Sequence, residues 1–215
     1  MSSYNCSKRR GVGTLLVRRR TIAFALFHII AGTTVIMNST TRWITAGTGL
    51  SVGMVTGIAF KRARASRKPE TIPYVDLERY QGRWFEIARY PARFERKCAR
   101  NTTAQYTLVD GKIRVVNACT TESGDLLVTR GWANVEDTST NAKLSVRFGA
   151  FARGSYWILD LASDYSFAVV GDPSRRYLWI LSRTPALDEH VFARICDTLP
   201  SFGYDPARLR RTLQE

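Results

Sequence analysis

Eight short segments rich in β-branched and aromatic residues follow one another along the last two-thirds of the chain, with turn-forming residues between them. A spacing of roughly 8–12 residues is typical of an all-β sandwich or barrel. Short connections such as Asp110-Gly111 favour pairing between consecutive strands. The pattern therefore predicts an all-β fold, an eight-stranded up-and-down antiparallel barrel. The predicted strands cover residues 83–90, 103–109, 112–119, 126–135, 143–148, 156–161, 166–171 and 177–182.

Apolar and polar residues alternate along several of these segments. In one of them Ile113, Val115 and Asn117 share a face, whereas Lys112 and Arg114 lie on the other. Strands that are apolar on one side and charged on the other have one face in water. Eight such strands closed into a barrel leave an interior wide enough for one small ligand.

A single helix is predicted after the last strand. Asp188 is a suitable N-cap for a helix that runs to about Leu199. Within it Val191, Phe192 and Ile195 form one apolar stripe together with Leu199. We expect this C-terminal helix to pack against the outside of the barrel.

The positive charge of the chain is concentrated before the barrel. The net charge is +14, but residues 1–70 hold twelve Lys and Arg against the single acid Glu70, whereas residues 71–215 hold twenty basic and seventeen acidic residues. A nucleic-acid-binding protein would carry its basic residues on a folded face. Here they flank apolar segments instead, which is typical of membrane proteins and argues against nucleic acid as a partner.

Two apolar stretches, residues 21–37 and 43–60, contain no Asp, Glu, Lys or Arg. Each has about the minimum length for crossing a bilayer, roughly 17–18 residues. Three interpretations remain open. Both stretches span as a helical hairpin; or residues 18–37 are a secretory signal; or translation starts at Met37 and the second stretch is the signal or anchor.

These observations predict four parts in the chain. They are a basic tail over residues 1–20, one or two membrane or signal helices over 21–60, a basic linker over 61–73 and a barrel domain over 74–215. Membrane association is expected through residues 21–60.

Three short motifs occur in order within the barrel domain. The first is Gly82 and Trp84 at the start of the first strand, the second is Ser163-Asp164-Tyr165, and the third is Arg183 after the last strand. With these motifs the chain from about residue 75 to 214 resembles the lipocalins, in particular the bacterial outer-membrane branch and its animal relative apolipoprotein D. The resemblance implies that Arg183 lies over Trp84 and closes one end of the barrel.

The resemblance also implies a ligand inside the barrel, a fatty acid or a lysophospholipid. Tyr106 and Trp157 match aromatic positions that line the pocket in the family. If Trp84 points inward, alternation places Glu86 and Ala88 on the same face. Glu86 would then need a polar partner, such as Tyr106 or Asn117. The remaining candidate ligand-binding residues are Asn117, Phe148 and Leu159.

Cys98 and Cys119 can come close in the predicted fold. Folding the hairpin about Asp110-Gly111 places residue 119 opposite residue 102, only a few residues from Cys98. A Cys98–Cys119 disulfide is one alternative. The resemblance suggests another, Cys98–Cys196, which would tie the barrel to the C-terminal helix. Either bridge requires an oxidising compartment, so the barrel is expected in the periplasm or otherwise outside the cytoplasm.

The expected function is binding, storage or transport of a small hydrophobic ligand at the bacterial cell envelope. The alternatives are a lipocalin-type enzyme acting on a lipid and a membrane-anchored structural protein whose barrel is unused. The two His residues, His28 and His190, lie outside the predicted strands, so no His is available to activate a Cys thiol. No catalytic residue, metal site or cofactor is predicted. The oligomeric state stays open, with a homodimer among the alternatives.

Overall fold

The computed structural model describes residues 67–150 and 152–215, and these form a single closed barrel with a helix beside it. A one-turn helix, α1 (Leu77–Tyr80), precedes the barrel, and the main helix, α2 (Glu189–Thr198), follows it. The strands are β1 (Gly82–Arg89), β2 (Arg100–Val109), β3 (Lys112–Thr120), β4 (Leu126–Val135), β5 (Lys143–Phe148), β6 (Ala152–Leu161), β7 (Phe167–Gly171), β8 (Leu178–Ser182) and the short β9 (Arg210–Arg211).

Each of the first eight strands pairs with its neighbour in antiparallel fashion, and β1 pairs with both β2 and β8. The predicted eight-stranded up-and-down barrel is therefore confirmed. The predicted hairpin is also confirmed, because Lys112 pairs with Val109 across the turn. Since β1 begins at one end of the barrel, the turns alternate between a closed end, near Trp84, and an open end, where β1 leads into β2.

Helix α2 packs on the outside of the barrel, as its sequence predicts. The Asp188 carboxylate accepts hydrogen bonds from the backbone N–H groups of His190 and Val191 and so caps the helix. The apolar side chains Phe192 and Ile195 are buried in a cluster with the outward-facing residues of β1, β6, β7 and β8. Strands β7 and β8, and residues 156–159 of β6, are consequently apolar on both faces.

A β-bulge in β1 changes which residues face the interior. The pairing with β8 skips a residue between Glu86 and Ala88. Trp84 belongs to the interior cluster, but Ala88 belongs to the cluster that packs on α2. The interior position predicted for Ala88 is therefore wrong, because one extra residue inverts the alternation beyond it. Arg89 lies on the interior side in its place, opposite Trp179 of β8.

The faces predicted for Trp157 and Leu159 of β6 are also wrong. Both are buried in the outer cluster with α2, whereas Tyr156 and Ile158 pack in the interior cluster. The error has a physical cause. Because Trp157 and Leu159 are buried in the outer cluster, this part of β6 is apolar on both sides, and alternation alone does not separate its two faces.

The C-terminal tail completes the wall of the barrel at the open end. Beyond Phe85 and Thr103, β1 and β2 no longer pair with each other. Strand β9 pairs there with β1, and the Asn101 amide donates a hydrogen bond to the Leu213 carbonyl at 2.8 Å. The sequence did not indicate this insertion, which places Thr212 beside the interior residues of β1.

The predicted tail and apolar helices, residues 1–60, lie outside the described residues, as does most of the predicted linker. No helix within 67–150 and 152–215 is long and apolar enough to cross a membrane. Contacts with the barrel begin within the span predicted as linker, because the Ile72 amide donates to the Ile158 carbonyl at 3.1 Å.

Candidate functional site

The closed end of the barrel is built around Trp84 and Arg183. Trp84 is fully buried, and its indole N–H donates to the Tyr80 carbonyl at 2.9 Å. The Arg183 guanidinium lies 3.8 Å from the centre of the Trp84 ring. It also donates to the Arg83 and Arg79 carbonyls, at 3.0 and 2.7 Å. The Trp84 indole and both Arg183 amino groups thus bind backbone carbonyls of the same end, so the geometry is that of a structural closure.

Gly82 has a backbone reason to be glycine at this closure. Its φ of +94° is one that L-residues rarely adopt, and a Cβ atom there would lie 3.2 Å from Arg183. The second motif supports the same end of the barrel. The Tyr165 hydroxyl accepts from the Asp76 amide at 2.9 Å, and Asp164 accepts from the Ser166 amide at 3.0 Å.

An apolar cavity lies above the closed end, inside the barrel. Its volume, counted as the space open to the centre of a water-sized sphere, is about 20 Å³. This is room for about one water molecule, so a larger ligand would have to displace the lining side chains. Most of its wall is aliphatic. It is lined by Leu77, Tyr80, Tyr106, Ile113, Ala133, Leu144, Val146 and Tyr156.

Three tyrosine hydroxyls meet at the wall of this cavity. The Tyr106 hydroxyl donates to that of Tyr156 at 3.0 Å, and the hydroxyls of Tyr156 and Tyr80 are 2.8 Å apart. Burial raises the pKa of Tyr106 to about 12 and holds the pKa values of Tyr80 and Tyr156 well above their ordinary range. All three are therefore neutral at physiological pH. Three O–H groups share two hydrogen bonds, which leaves one proton for a polar atom of a ligand.

A charged cluster occupies the upper part of the interior. The carboxylate of Glu86, only 3% exposed, accepts hydrogen bonds from the Arg89 guanidinium and the Thr212 hydroxyl. Arg89 also donates to the Cys98 carbonyl at 3.1 Å. The interior position predicted for Glu86 is thus confirmed, although its partners are Arg89 and Thr212 rather than Tyr106 or Asn117.

Glu95 completes this cluster from the short 3₁₀ turn after β1, Arg93–Glu95. One carboxylate oxygen accepts from the Trp179 indole N–H at 3.1 Å, and the other lies 3.3 Å from Arg89 Nε. Burial raises the pKa of Glu95 to about 7, and the neighbouring Glu86 adds to the rise, whereas Arg89 and Trp179 oppose it. The cluster therefore holds two carboxylates and one guanidinium.

Aromatic rings surround this cluster at the open end. Phe94 is 65% exposed, and its ring lies 5.5 Å from that of Tyr177 and 6.4 Å from that of Trp179. Tyr177 and Trp179 are stacked with centroids 5.9 Å apart. Phe94 therefore lies at the open end of the barrel.

Two further predicted residues, Asn117 and Phe148, face the interior. The Asn117 side-chain oxygen is buried and has no hydrogen-bond partner among the described residues. Phe148 packs against the interior cluster beside Gly131. A Cβ atom at Gly131 would lie 2.6 Å from the Phe148 ring, so the glycine makes room for this ring.

The disulfide joins Cys98, which follows the 3₁₀ turn, to Cys119 of β3, with a Cα–Cα distance of 5.4 Å. The first predicted pairing is thus confirmed, and the alternative Cys98–Cys196 pairing is wrong. Because the bridge lies next to Arg89, it holds the turn that carries Glu95 over the interior.

The structure brings Glu86, Tyr106, Asn117 and Phe148 together inside the barrel, and it places Ala88, Trp157 and Leu159 outside it. Sequence reasoning missed several interior residues. They are Tyr80, Arg89, Glu95, Tyr156, Trp179 and Thr212. Shifting the predicted alternation of β6 by one residue would have identified Tyr156 as interior. Arg89 faces the interior because of the bulge in β1, and Thr212 reaches it because the C-terminal tail is inserted beside β1.

Comparison with known proteins gives one consistent result. A sequence profile described as a lipocalin-like domain matches residues 75–214. Temperature-induced lipocalin-1 of Arabidopsis thaliana is 36% identical over 156 residues, which cover 69% of this chain and 84% of that protein. The outer membrane lipoprotein Blc of Escherichia coli is 36% identical over 135 residues, 62% of this chain and 76% of its own length. Mouse apolipoprotein D is 33% identical over 150 residues, covering 65% and 77%.

Solved structures agree with the fold. Lobster apocrustacyanin A1 superimposes with a TM-score of 0.54 at 16% identity, covering 69% of this chain and 91% of that one. Insecticyanin of the tobacco hornworm gives a TM-score of 0.54 at 20% identity, covering 68% and 85%. At these identities the likeness concerns the barrel architecture alone.

Proposed function

Because this chain belongs to the lipocalin family, we propose that its barrel binds a small hydrophobic ligand, a single-chain lipid such as a fatty acid or a lysophospholipid. The observation that carries the proposal is the apolar lining of the interior above Trp84, together with a polar cluster nearer the open end. An acyl chain would enter along this lining as the side chains move apart, and a head group would lie near Glu86, Arg89 and Glu95.

The charges of the upper cluster favour one kind of head group. The carboxylate of Glu86 already pairs with the single Arg89, and Glu95, whose pKa is raised to about 7, adds a further negative charge as it ionises, so the carboxylate of a ligand would add repulsion above pH 7. A positively charged group would find two carboxylates and the rings of Trp179 and Tyr177. We therefore propose a zwitterionic lysophospholipid with a choline head group in preference to a free fatty acid.

The interior residues would have separate roles in this complex. Polar atoms of the ligand would accept the remaining hydroxyl proton of the three tyrosines around Tyr156. They would donate to the unpartnered side-chain oxygen of Asn117. Phe148 and Tyr106 would contact the chain. Such a division, with an apolar wall and a few placed polar groups, is typical of small-molecule sites.

We also propose an extracytoplasmic location at the cell envelope, with membrane association through residues 21–60. The Cys98–Cys119 disulfide supports an oxidising compartment. The name of the Escherichia coli relative, an outer membrane lipoprotein, supports the envelope. Protection of Cys98 and Cys119 from thiol labelling in intact cells, lost after reduction, is the expected result; labelling without reduction would contradict it.

The ligand proposal is tested by titrating the full-length protein with palmitate and with palmitoyl-lysophosphatidylcholine. We expect saturable binding in the micromolar range, tighter for the lysophospholipid, measured by calorimetry. No saturable binding of either lipid would refute the proposal. Equal or tighter binding of palmitate would refute the choice of head group only.

A pair of variants on β4 locates the site. Ala133 lines the cavity and is 3% exposed, whereas the next residue, Asn134, points outward and is exposed. Ala133→Leu fills part of the cavity and should weaken binding about tenfold or more, whereas Asn134→Leu should leave it unchanged; a loss of about 1.4 kcal/mol corresponds to a factor of ten. Equal affinity in the two variants would place the ligand outside the barrel interior.

A further inference from the structure

The outer wall of the barrel carries a row of arginines on the side away from α2. In the strand register Arg114 of β3 lies opposite Trp132 of β4, Trp132 lies opposite Arg147 of β5, and Arg147 lies opposite Arg153 of β6. These four residues form what we term the arginine row. Adjacent strands are about 4.8 Å apart, so the row extends about 14 Å across the wall.

All members of the arginine row are exposed, and Trp132 keeps 45% of its surface in water. None of its three arginines makes an ion pair or a side-chain hydrogen bond with any of the described residues. Arg130, one pair further along β4, is exposed in the same way. The guanidinium groups are therefore available to a partner.

The wall beside the arginine row contains no acid. The outward-facing positions of β3, β4 and β5 hold no Asp or Glu, and the single acid of β6, Asp160, lies seven residues beyond Arg153 toward the closed end. The nearest acids lie in the turns at the two ends of these strands, such as Glu122 and Glu136. Although the domain is nearly neutral in sum, this side of it is positively charged.

The row does not stabilise the barrel. Like charges directly opposite each other on antiparallel strands are destabilising, and Arg147 and Arg153 form such a pair. An anionic partner would turn this repulsion into attraction. The charge pattern therefore points to a polyanionic surface.

Apolar residues in the same wall distinguish between polyanions. Trp132 stands between arginines, and further along β4 the exposed residues Val128 and Leu126 lead toward the open end. Tryptophan and aliphatic side chains flanked by basic residues suit the interface of a lipid bilayer, where the rings lie at head-group level. Nucleic acid offers no comparable apolar layer.

We propose that the arginine row, with Arg130, Val128 and Leu126, docks the barrel on the surface of an anionic phospholipid bilayer. The arginines would contact lipid phosphates, and Trp132 would enter the head-group layer. The inference is independent of the ligand proposed for the interior, because every residue in it faces outward.

Hydroxyl-radical footprinting of the full-length protein tests the docking directly. The chain is mixed with vesicles of phosphatidylcholine or with vesicles that also contain 30% phosphatidylglycerol, and oxidation of Trp132 is followed by mass spectrometry. We expect at least threefold slower oxidation of Trp132 with the anionic vesicles, at about 50 mM salt. Tyr74, exposed at the closed end, is an internal reference whose oxidation should not change.

Two variants of equal net charge distinguish binding through the arginine row from general electrostatic attraction to the vesicle. One replaces Arg114, Arg147 and Arg153 by Gln. The other replaces three exposed basic residues elsewhere, Arg83, Lys97 and Arg194, by Gln. Each basic residue near an anionic surface contributes about fivefold to binding, so the row variant should lose about 100-fold through this face. The protection of Trp132 should disappear in the row variant and persist in the control variant.

Each other outcome would overturn the proposal. Trp132 oxidised equally with both kinds of vesicle, or protected equally in both variants, would show that the row does not contact the lipid. Protection by a DNA oligonucleotide but not by anionic vesicles would assign the row to nucleic acid instead. A thermal melt of each variant, matching that of the unmodified protein, establishes that the comparison is made on folded barrels.

Discussion

The two ends of the barrel each hold a half-buried arginine, but they surround it with different groups. At the closed end Arg183 contacts the Trp84 ring and two backbone carbonyls, and it makes no ion pair among the described residues. At the open end Arg89 lies between the carboxylates of Glu86 and Glu95. The closed end is thus held by neutral partners of Arg183, whereas the open end is held by charged side chains that influence one another's ionisation.

This difference separates closure from recognition. Burying ions is costly, and an apolar replacement of a buried ion cluster is often as stable or more so. The closed end avoids that cost because one cation is shared among aromatic and carbonyl groups. At the open end the cost of burying ions falls on the part of the interior that a ligand head group would reach. This position fits the proposed role of Glu86 and Glu95 in binding.

The largest expected effect is at the closed end. Trp84→Ala removes a fully buried indole and leaves Arg183 without its ring, so we expect a loss of about 4 kcal/mol in the free energy of unfolding. Urea denaturation followed by circular dichroism measures it. The loss should vary little between pH 5 and pH 8, because no carboxylate takes part.

Trp132→Ala is the matched control for that substitution. Trp132 is 45% exposed on the outer wall, so its removal should cost less than about 1 kcal/mol. Similar losses for the two tryptophans would mean that Trp84 does not hold the closed end together.

At the open end, Arg89→Met should cost about 3 kcal/mol at pH 8. The substitution leaves Glu86 and Glu95 buried without their shared cation, which is the expensive way to break an ion cluster. The loss should shrink at pH 5, because the pKa of Glu95 rises further without Arg89 and the carboxyl becomes neutral. Arg194→Met on the exposed face of α2 is the control and should change stability little. A loss that is independent of pH would contradict the proposed charge balance.

Much of the closed end could be predicted from the sequence. Trp84 and Arg183 stand at the two ends of an unmistakable series of strands, and the hairpin at Asp110-Gly111 fixes the register that brings Cys98 near Cys119. These features depend on local turns and on alternation along regular strands. Where a strand is regular and has one face in water, as β3 does, the sequence identifies its interior residues correctly.

The open end depends on irregularities that the sequence does not mark. The bulge in β1 exchanges Ala88 for Arg89 on the interior side. The outer apolar cluster makes the outward-facing side of β6 apolar around Trp157, so alternation there does not show which way Trp157 faces. The tail inserted beside β1 brings Thr212 to Glu86 from 126 residues away. Each of these is a tertiary effect, so the interior cluster becomes visible only in the folded chain.

The pH dependence of stability distinguishes the two ends most finely. The pKa of Glu95 rises from 4.5 to about 7 on folding, so between these values the folded protein binds a proton that the unfolded chain has released. Stability from this group is therefore fully present below pH 4.5 and is lost as pH rises through 7. The loss between pH 5 and pH 8 should be about 2–3 kcal/mol.

Glu95→Gln, which keeps the shape of the protonated carboxyl, should match the unmodified protein at pH 5 and exceed its stability at pH 8. Arg183→Gln at the closed end should instead lower stability by the same amount at both pH values, because its guanidinium does not titrate in this range. Urea denaturation at the two pH values measures both differences. If the Glu95→Gln difference were constant with pH, Glu95 would be ionised throughout, and the open end would carry a full negative charge at every pH at which a ligand could bind.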